Sequence, residues 1–274
     1  MGRPALGAYL DALVAHVPVE AGVARDPIRF PLRYLAPGDV EVAGAFAASL
    51  AFGRVDLFGP IVDAALAEAD RRGGPAAFAD ALVDGPDPTA FADLYYRWLD
   101  GHDLAEAFRV FGRARRQAGS LGACFRPGPA RESLGAAIDT LRGHLPPDAS
   151  RGLRSLFAHP ADGSACKRWC MLLRWFVRTE APDLGLWTHL RPADLVVPLD
   201  THVFRVSRFL GLTRRASPGW AAAEEITRQL AVFDAADPVR YDFALAHLGI
   251  SGACRGVRDA AVCPGCPLEP VCRA

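Results

Sequence analysis

The chain has 274 residues, 51% hydrophobic and 23% charged, and its 31 basic and 31 acidic side chains balance to a net charge of zero. That composition excludes a disordered chain, and the length allows one large or two small domains with a substantial core. No apolar run approaches the ~18 residues of a membrane span, and the N-terminus lacks the long uncharged core of a signal peptide, so the sequence predicts a cytoplasmic protein with no membrane association.

Helical periodicity runs through almost the whole chain. It predicts an amphipathic helix over 5–17, an extended proline-punctuated stretch over 18–37, and a helix capped by Asp39 that ends near Gly53. Further helices fit 56–72, 75–84 and 88–100, the last with Leu94, Tyr95 and Trp98 on its buried side. Asp103 is placed to cap 104–118, whose last turn carries Arg113, Arg115 and Arg116 as the helix dipole favours. Helices at 130–145, 148–158, 166–178, 184–190, 218–232 and 238–250 complete the pattern. Sustained alternation with β-branched residues is missing, so the fold class is all-α.

Charge is unevenly spread. Residues 1–100 carry 14 acidic side chains against 8 arginines, whereas residues 165–215 carry 9 basic against 4 acidic ones. A neutral protein with a basic stripe can bind phosphates along it. Of the 31 basic residues, Lys167 alone is a lysine. Arginine stays protonated and forms no imine, so Schiff-base chemistry by a side chain has only Lys167 to use.

Two local patterns carry chemistry. In Pro198-Leu199-Asp200-Thr201-His202-Val203-Phe204-Arg205-Val206 the carboxylate of Asp200 directly precedes an apolar helical pattern, as an N-cap does. Near the C-terminus, Cys254, Cys263, Cys266 and Cys272 follow C-x8-C-x2-C-x5-C among glycines and prolines. Four thiols this close suggest a metal site before a disulfide framework. Zinc on four cysteines usually takes two short-spaced pairs, so the uneven single loop favours a [4Fe–4S] cluster, with zinc as the alternative. Cys124, Cys166 and Cys170 read as buried thiols of helices.

The LDTHVFRV run, followed by a four-cysteine loop, resembles the helix–hairpin–helix DNA glycosylase superfamily, whose iron–sulfur members include endonuclease III and the adenine glycosylases. More closely, GSACKRWC, PLDTHVFRV and YDFALAHLGIS are similar to a bacterial family of uncharacterised proteins regarded as remote relatives of those enzymes. The resemblance implies a two-lobed fold: a helical-barrel lobe over 38–179 ending in the hairpin, and an iron–sulfur lobe from 1–37 and 180–274. It makes Asp200 the essential carboxylate, Lys167 the catalytic lysine, and Cys254, Cys263, Cys266 and Cys272 the cluster ligands. The implied activity is base-excision repair of damaged or abasic double-stranded DNA by a monomeric DNA glycosylase with AP-lyase activity. A DNA- or RNA-structure-binding protein without catalysis, and a glycosylase using Asp200 and water, are the alternatives.

Several positions depart from that pattern. Ala165 stands at the second hairpin glycine, Lys167 and Asp200 are 33 residues apart, longer than in endonuclease III, and Ala51-Phe52-Gly53-Arg54 replaces a glutamine-bearing helix end. Phosphate contacts are assigned to the hairpin amides of Gly163, Ser164 and Ala165 and to Arg168 and Arg205. His202 is read equally as a groove residue or a packing one, and Trp187 as a base-stacking residue or part of the core.

Overall fold

A computed structural model describes residues 3–274, with side chains from Leu6 onward. Helix makes up 58% and strand 1%, so the chain is all-α. The helices are α1 (Arg3–His16), α2 (Val19–Val23), α3 (Pro37–Leu50), α4 (Val55–Arg71), α5 (Pro75–Leu82), α6 (Gly101–Ala118), α7 (Ala130–Gly143), α8 (Arg151–Leu156), α9 (Lys167–Val177), α10 (Thr201–Phe209), α11 (Trp220–Leu230) and α12 (Asp242–Ile250). A two-residue antiparallel pair, β1 (Tyr95–Tyr96) with β2 (Leu99–Asp100), precedes α6.

The centre is α3, in which every residue from Val40 to Leu50 is buried. Its alanines and glycine let neighbours approach closely: a Cβ added at Gly44 would come within 2.4 Å of the Phe176 ring of α9. Around α3 lie α4, α5, α6 and α9. Glu41 is a charge inside this core, and its carboxylate accepts from Leu121 N at 2.9 Å, Gly122 N at 3.0 Å and Trp187 Nε1 at 2.8 Å. Three donors replace the water that burial removes, which is the condition for tolerating a buried carboxylate.

On the other side, α12 packs on α10 and on α1, so the two ends of the chain meet. A buried ion network ties this part to α9. Arg174 donates to Asp242 at 2.6 Å and to Asp183 at 3.2 Å, while Arg178 bonds Asp183 and, at 2.8 Å, Asp237. Burial opposes the charge on Arg174, but Asp183, Asp242 and Asp26 together more than offset it and raise its pKa. Burial likewise pushes the Asp242 carboxyl up to about 6 in spite of Arg174.

Local expectations fail where a stronger local signal competes. Asp39 does not cap α3: Pro37 begins the helix behind Ala36, and Asp39 instead accepts from Ala76 N at 2.8 Å at the start of α5. Asp100, not Asp103, caps α6, because Asp103 turns inward to Ser150 Oγ at 2.7 Å. Residues 88–100 form a short 3-10 turn and the hairpin, leaving Tyr95 and Trp98 exposed rather than buried. The expected helix over 184–190 is a loop, with Gly185 at φ 59° and Leu184 N and Trp187 N each 2.6 Å from α9 carbonyls. Residues 18–37, expected to be extended, contain α2 and two 3-10 turns.

Candidate functional site

α8 and α9 are joined by a 3-10 turn over Pro160–Asp162, a left-handed Gly163 with φ 76°, and Ser164–Cys166. Cys166 is itself left-handed, with φ 48°, a conformation uncommon for a residue with a side chain. Its thiol donates to the carbonyls of Ala158 and Ser164, both at 3.4 Å, and burial pushes its pKa up to about 11. Cys166 is therefore a protonated anchor for the turn, not a nucleophile.

The turn delivers Lys167 as the first residue of α9, and α10 begins across from it. Asp200 caps α10 as the sequence predicts, with Oδ1 accepting from both His202 N and Val203 N at 2.8 Å. Oδ2 makes no hydrogen bond to any described residue. Lys167 and Asp200 both line one cleft of about 400 Å³, together with Ser164, Ala165, Phe52 and Pro218. Lys167 Nζ touches Met171 Sδ at 3.4 Å and has no carboxylate partner among the described residues. The charges of both residues are felt by buried Asp242, so all three groups belong to one electrostatic neighbourhood.

The assigned phosphate contacts divide. The amide of Gly163 is spent on Pro160 O at 3.1 Å, so this glycine contributes conformation. The amides of Ser164 and Ala165 have no acceptor among the described residues, and both residues line the cleft. Arg168 spends its guanidinium on Ser49 O at 2.5 Å and on Ser155 O, and burial lowers its pKa to about 10. Its role here is to brace the cleft wall between α3 and α8.

His202 packs against α12, where a Cβ at Gly249 would come within 2.3 Å of the imidazole. Its Nε2 is buried without a hydrogen-bond partner among the described residues. Trp187 belongs to the core: it is 3% exposed, bonded to Glu41 and packed between Phe125 and Phe176. A base cannot stack on it, because the loop over 184–187 is pinned down on α9.

Arg205 lies against the cysteine tail, where Gly256 leaves room for its guanidinium. It also lines a second, basic cavity of about 490 Å³ with Thr201, Phe204, Arg208, Phe209 and Arg273. None of these three arginines has a carboxylate within ion-pair distance among the described residues. Thr201 lines both cavities, so they adjoin. The sequence reading missed Arg208 and Arg273. Positions 201, 205 and 208 share a helix face at i, i+4 and i+7, a signal that was available for Arg208. Arg273 had none, since only the tertiary path of the tail brings its amide to Phe209 O at 3.1 Å.

Cys254, Cys263, Cys266 and Cys272 line one small cavity of about 30 Å³. Burial raises the pKa of Cys266, and the other three cysteines raise it further, so the four sulfurs are electrostatic neighbours. Among the described residues no group of three or more His, Cys, Asp or Glu side chains is gathered closely enough to hold a metal ion.

No helix among the described residues is long and apolar enough to cross a membrane. A family model described as "Protein of unknown function (DUF2400)" matches residues 26–251, and the chain belongs to that family. The matched region includes Lys167 and Asp200 and ends before Cys254. Comparisons with curated proteins and with solved structures gave no match.

Proposed function

We propose that this family member is a DNA glycosylase with AP-lyase activity, built on a two-lobed helix–hairpin–helix fold with the cleft between residues 38–179 and the remainder of the chain. One observation carries the reading: a single cleft unites the chain's only lysine, a helix-capping aspartate with a free oxygen, and the unbonded amides of Ser164 and Ala165. A lysine and a carboxylate lining one cleft can supply a nucleophile and a stabiliser of positive charge.

The target nucleotide rotates out of the stack into the cleft, since the sugar C1′ is inaccessible inside a duplex. Asp200 Oδ2 stabilises the positive charge that develops on the sugar as the C1′–N bond breaks and its electron pair leaves with the base. Lys167 gives a proton to the departing base, and its amine forms a bond to C1′. Opening of the sugar ring gives an imine. Loss of a proton from C2′ then expels the 3′-phosphate by breaking the C3′–O bond. The amides of Ser164 and Ala165, at the turn before α9, hold a backbone phosphate, with Arg205, Arg208 and Arg273 gripping the strand beyond.

The four cysteines support a polynuclear cluster over a single ion. Their uneven C-x8-C-x2-C-x5-C spacing suits such a cluster better than the two short-spaced pairs usual for zinc, and all four line one small cavity. Cys254, Cys263, Cys266 and Cys272 would hold it, and when bound it cross-links the tail without entering the reaction. The tail in turn sets Arg273 against α10 and leaves Gly256 beneath Arg205.

Borohydride trapping on a duplex with one abasic site tests the reading. Wild type should give a covalent adduct that Lys167→Ala abolishes and Asp200→Asn strongly reduces. An equal adduct from Lys167→Ala would sink the Schiff-base mechanism. Base release without an adduct would leave Asp200 activating water, and neither product would leave a binding protein.

A further inference from the structure

Residues 95–98 read Tyr-Tyr-Arg-Trp, and the hairpin they form is the only strand pairing among the described residues. Tyr96 is buried and donates its hydroxyl to the carbonyl of Phe52, the residue that lines the cleft wall. The Phe52 ring stacks on Trp98 with centroids 5.2 Å apart and planes 15° from parallel. Trp98 is 53% exposed and Tyr95 is 63% exposed, and every other aromatic side chain among the described residues is half-buried or buried. Trp98 Nε1 is held by Ser155 Oγ at 3.2 Å, so the indole is fixed rather than loose.

Guanidinium groups interleave with these rings. Arg97, left-handed at φ 60°, places its guanidinium 5.7 Å from Phe52, 5.8 Å from Tyr96 and 6.0 Å from Trp98. Arg168, its guanidinium committed to Ser49 O and Ser155 O, braces the Phe52 ring from 5.2 Å, so Arg97 is the guanidinium left for a ligand. Arg97 has no carboxylate within ion-pair distance among the described residues. Gly53, at φ 86°, permits the approach, since a Cβ there would come within 2.7 Å of Arg97 and 2.9 Å of the Tyr96 hydroxyl. An ordinary surface turn requires neither a left-handed arginine nor a fixed, exposed indole stacked on a residue of a cleft wall.

Rings interleaved with guanidinium groups bind the π-faces of nucleobases and the phosphates between them. In an intact duplex those faces are covered by neighbouring base pairs, and only base edges and backbone are presented. We infer that the Tyr95–Trp98 hairpin and Phe52 form a nucleobase-stacking platform at the mouth of the cleft, and that the substrate class is DNA with an unpaired stretch rather than intact duplex. The inference rests on the nucleic-acid reading of the cleft.

The test is a polarisation titration at fixed salt with three labelled probes: a single strand, its full duplex, and the same duplex with a central unpaired bubble. Wild type should bind the single strand and the bubble more tightly than the duplex. Trp98→Ala and Tyr95→Ala should each weaken binding to the unpaired probes about tenfold, within the range of one lost base–aromatic stack, with duplex binding unchanged. Trp98→Phe should retain most of the affinity, and circular dichroism should show both alanine variants folded. Equal wild-type affinity for all three probes, or losses spread evenly over paired and unpaired probes, would overturn the platform. Binding to none of them would instead remove the nucleic-acid reading beneath it. Tight duplex binding with efficient borohydride trapping, but no effect of Trp98→Ala on any probe, would leave the enzyme reading standing and this one refuted.

Discussion

Lys167 opens α9 and Asp200 caps α10, and the two side chains line one cleft although 33 residues separate them in the chain. The turn before α9 aims the lysine. The two bonds from His202 N and Val203 N fix one carboxylate oxygen of Asp200 and leave the other without a hydrogen bond to any described residue. Capping therefore uses one carboxylate oxygen, which separates it from the chemistry proposed for the other.

That separation predicts a split between two substitutions. Asparagine caps about as well as aspartate, so Asp200→Asn should stay within a few tenths of a kcal/mol of wild type in urea unfolding while losing the trapped adduct. Asp200→Ala should lose both the adduct and roughly 1 kcal/mol of stability. An active Asp200→Asn variant would confine this residue to capping.

The three unpaired arginines predict a salt signature. Each of Arg205→Ala, Arg208→Ala and Arg273→Ala should weaken DNA binding at all sequences and reduce the slope of log affinity against log salt by about one. Unchanged slopes would place the DNA elsewhere on the surface.

For the tail, anaerobically purified protein should be brown, with about four irons and four acid-labile sulfides per chain. Cys263→Ser should lose the colour and melt earlier, and its DNA affinity should fall towards that of Arg273→Ala, since the tail carries Arg273. Colourless protein with about one zinc per chain would replace the cluster with the other cofactor.

His202 gives a pH dependence. Burial lowers its folded-state pKa, Asp200 opposes the shift and Arg205 adds to it. The unfolded imidazole takes up a proton as the pH falls through ~6.5, whereas the folded one does so only at lower pH. The His202 contribution to stability should thus fall on acidification from about pH 7.5 to 5.5. His202→Gln should flatten that loss in urea midpoints measured at both values. His144, also lowered by burial, contributes with the same sign, and His102 and Asp242, both raised, contribute with the opposite one; the substitution leaves that background in place.

Much of this protein was legible without coordinates. The 3.6-residue period placed α1, α4, α5, α7, α9, α10, α11 and α12 within a few residues, because burying one face of a helix imposes its period on the sequence. Asp200 was recognisable as a cap, and Lys167 as the one available amine, from residue type and neighbours alone. Tertiary packing decided the rest. Trp187 became core because Glu41, 146 residues earlier, needed a donor for its buried carboxylate. The aromatic stretch 88–100 became a hairpin rather than a helix, held where Tyr96 reaches Phe52. Arg273 joined Arg205 and Arg208 only through the fold of the tail. Hydrophobic period and capping are short-range signals written into adjacent residues, whereas the satisfaction of a buried charge, the meeting of rings and the gathering of arginines depend on segments that become neighbours only when the chain closes on itself.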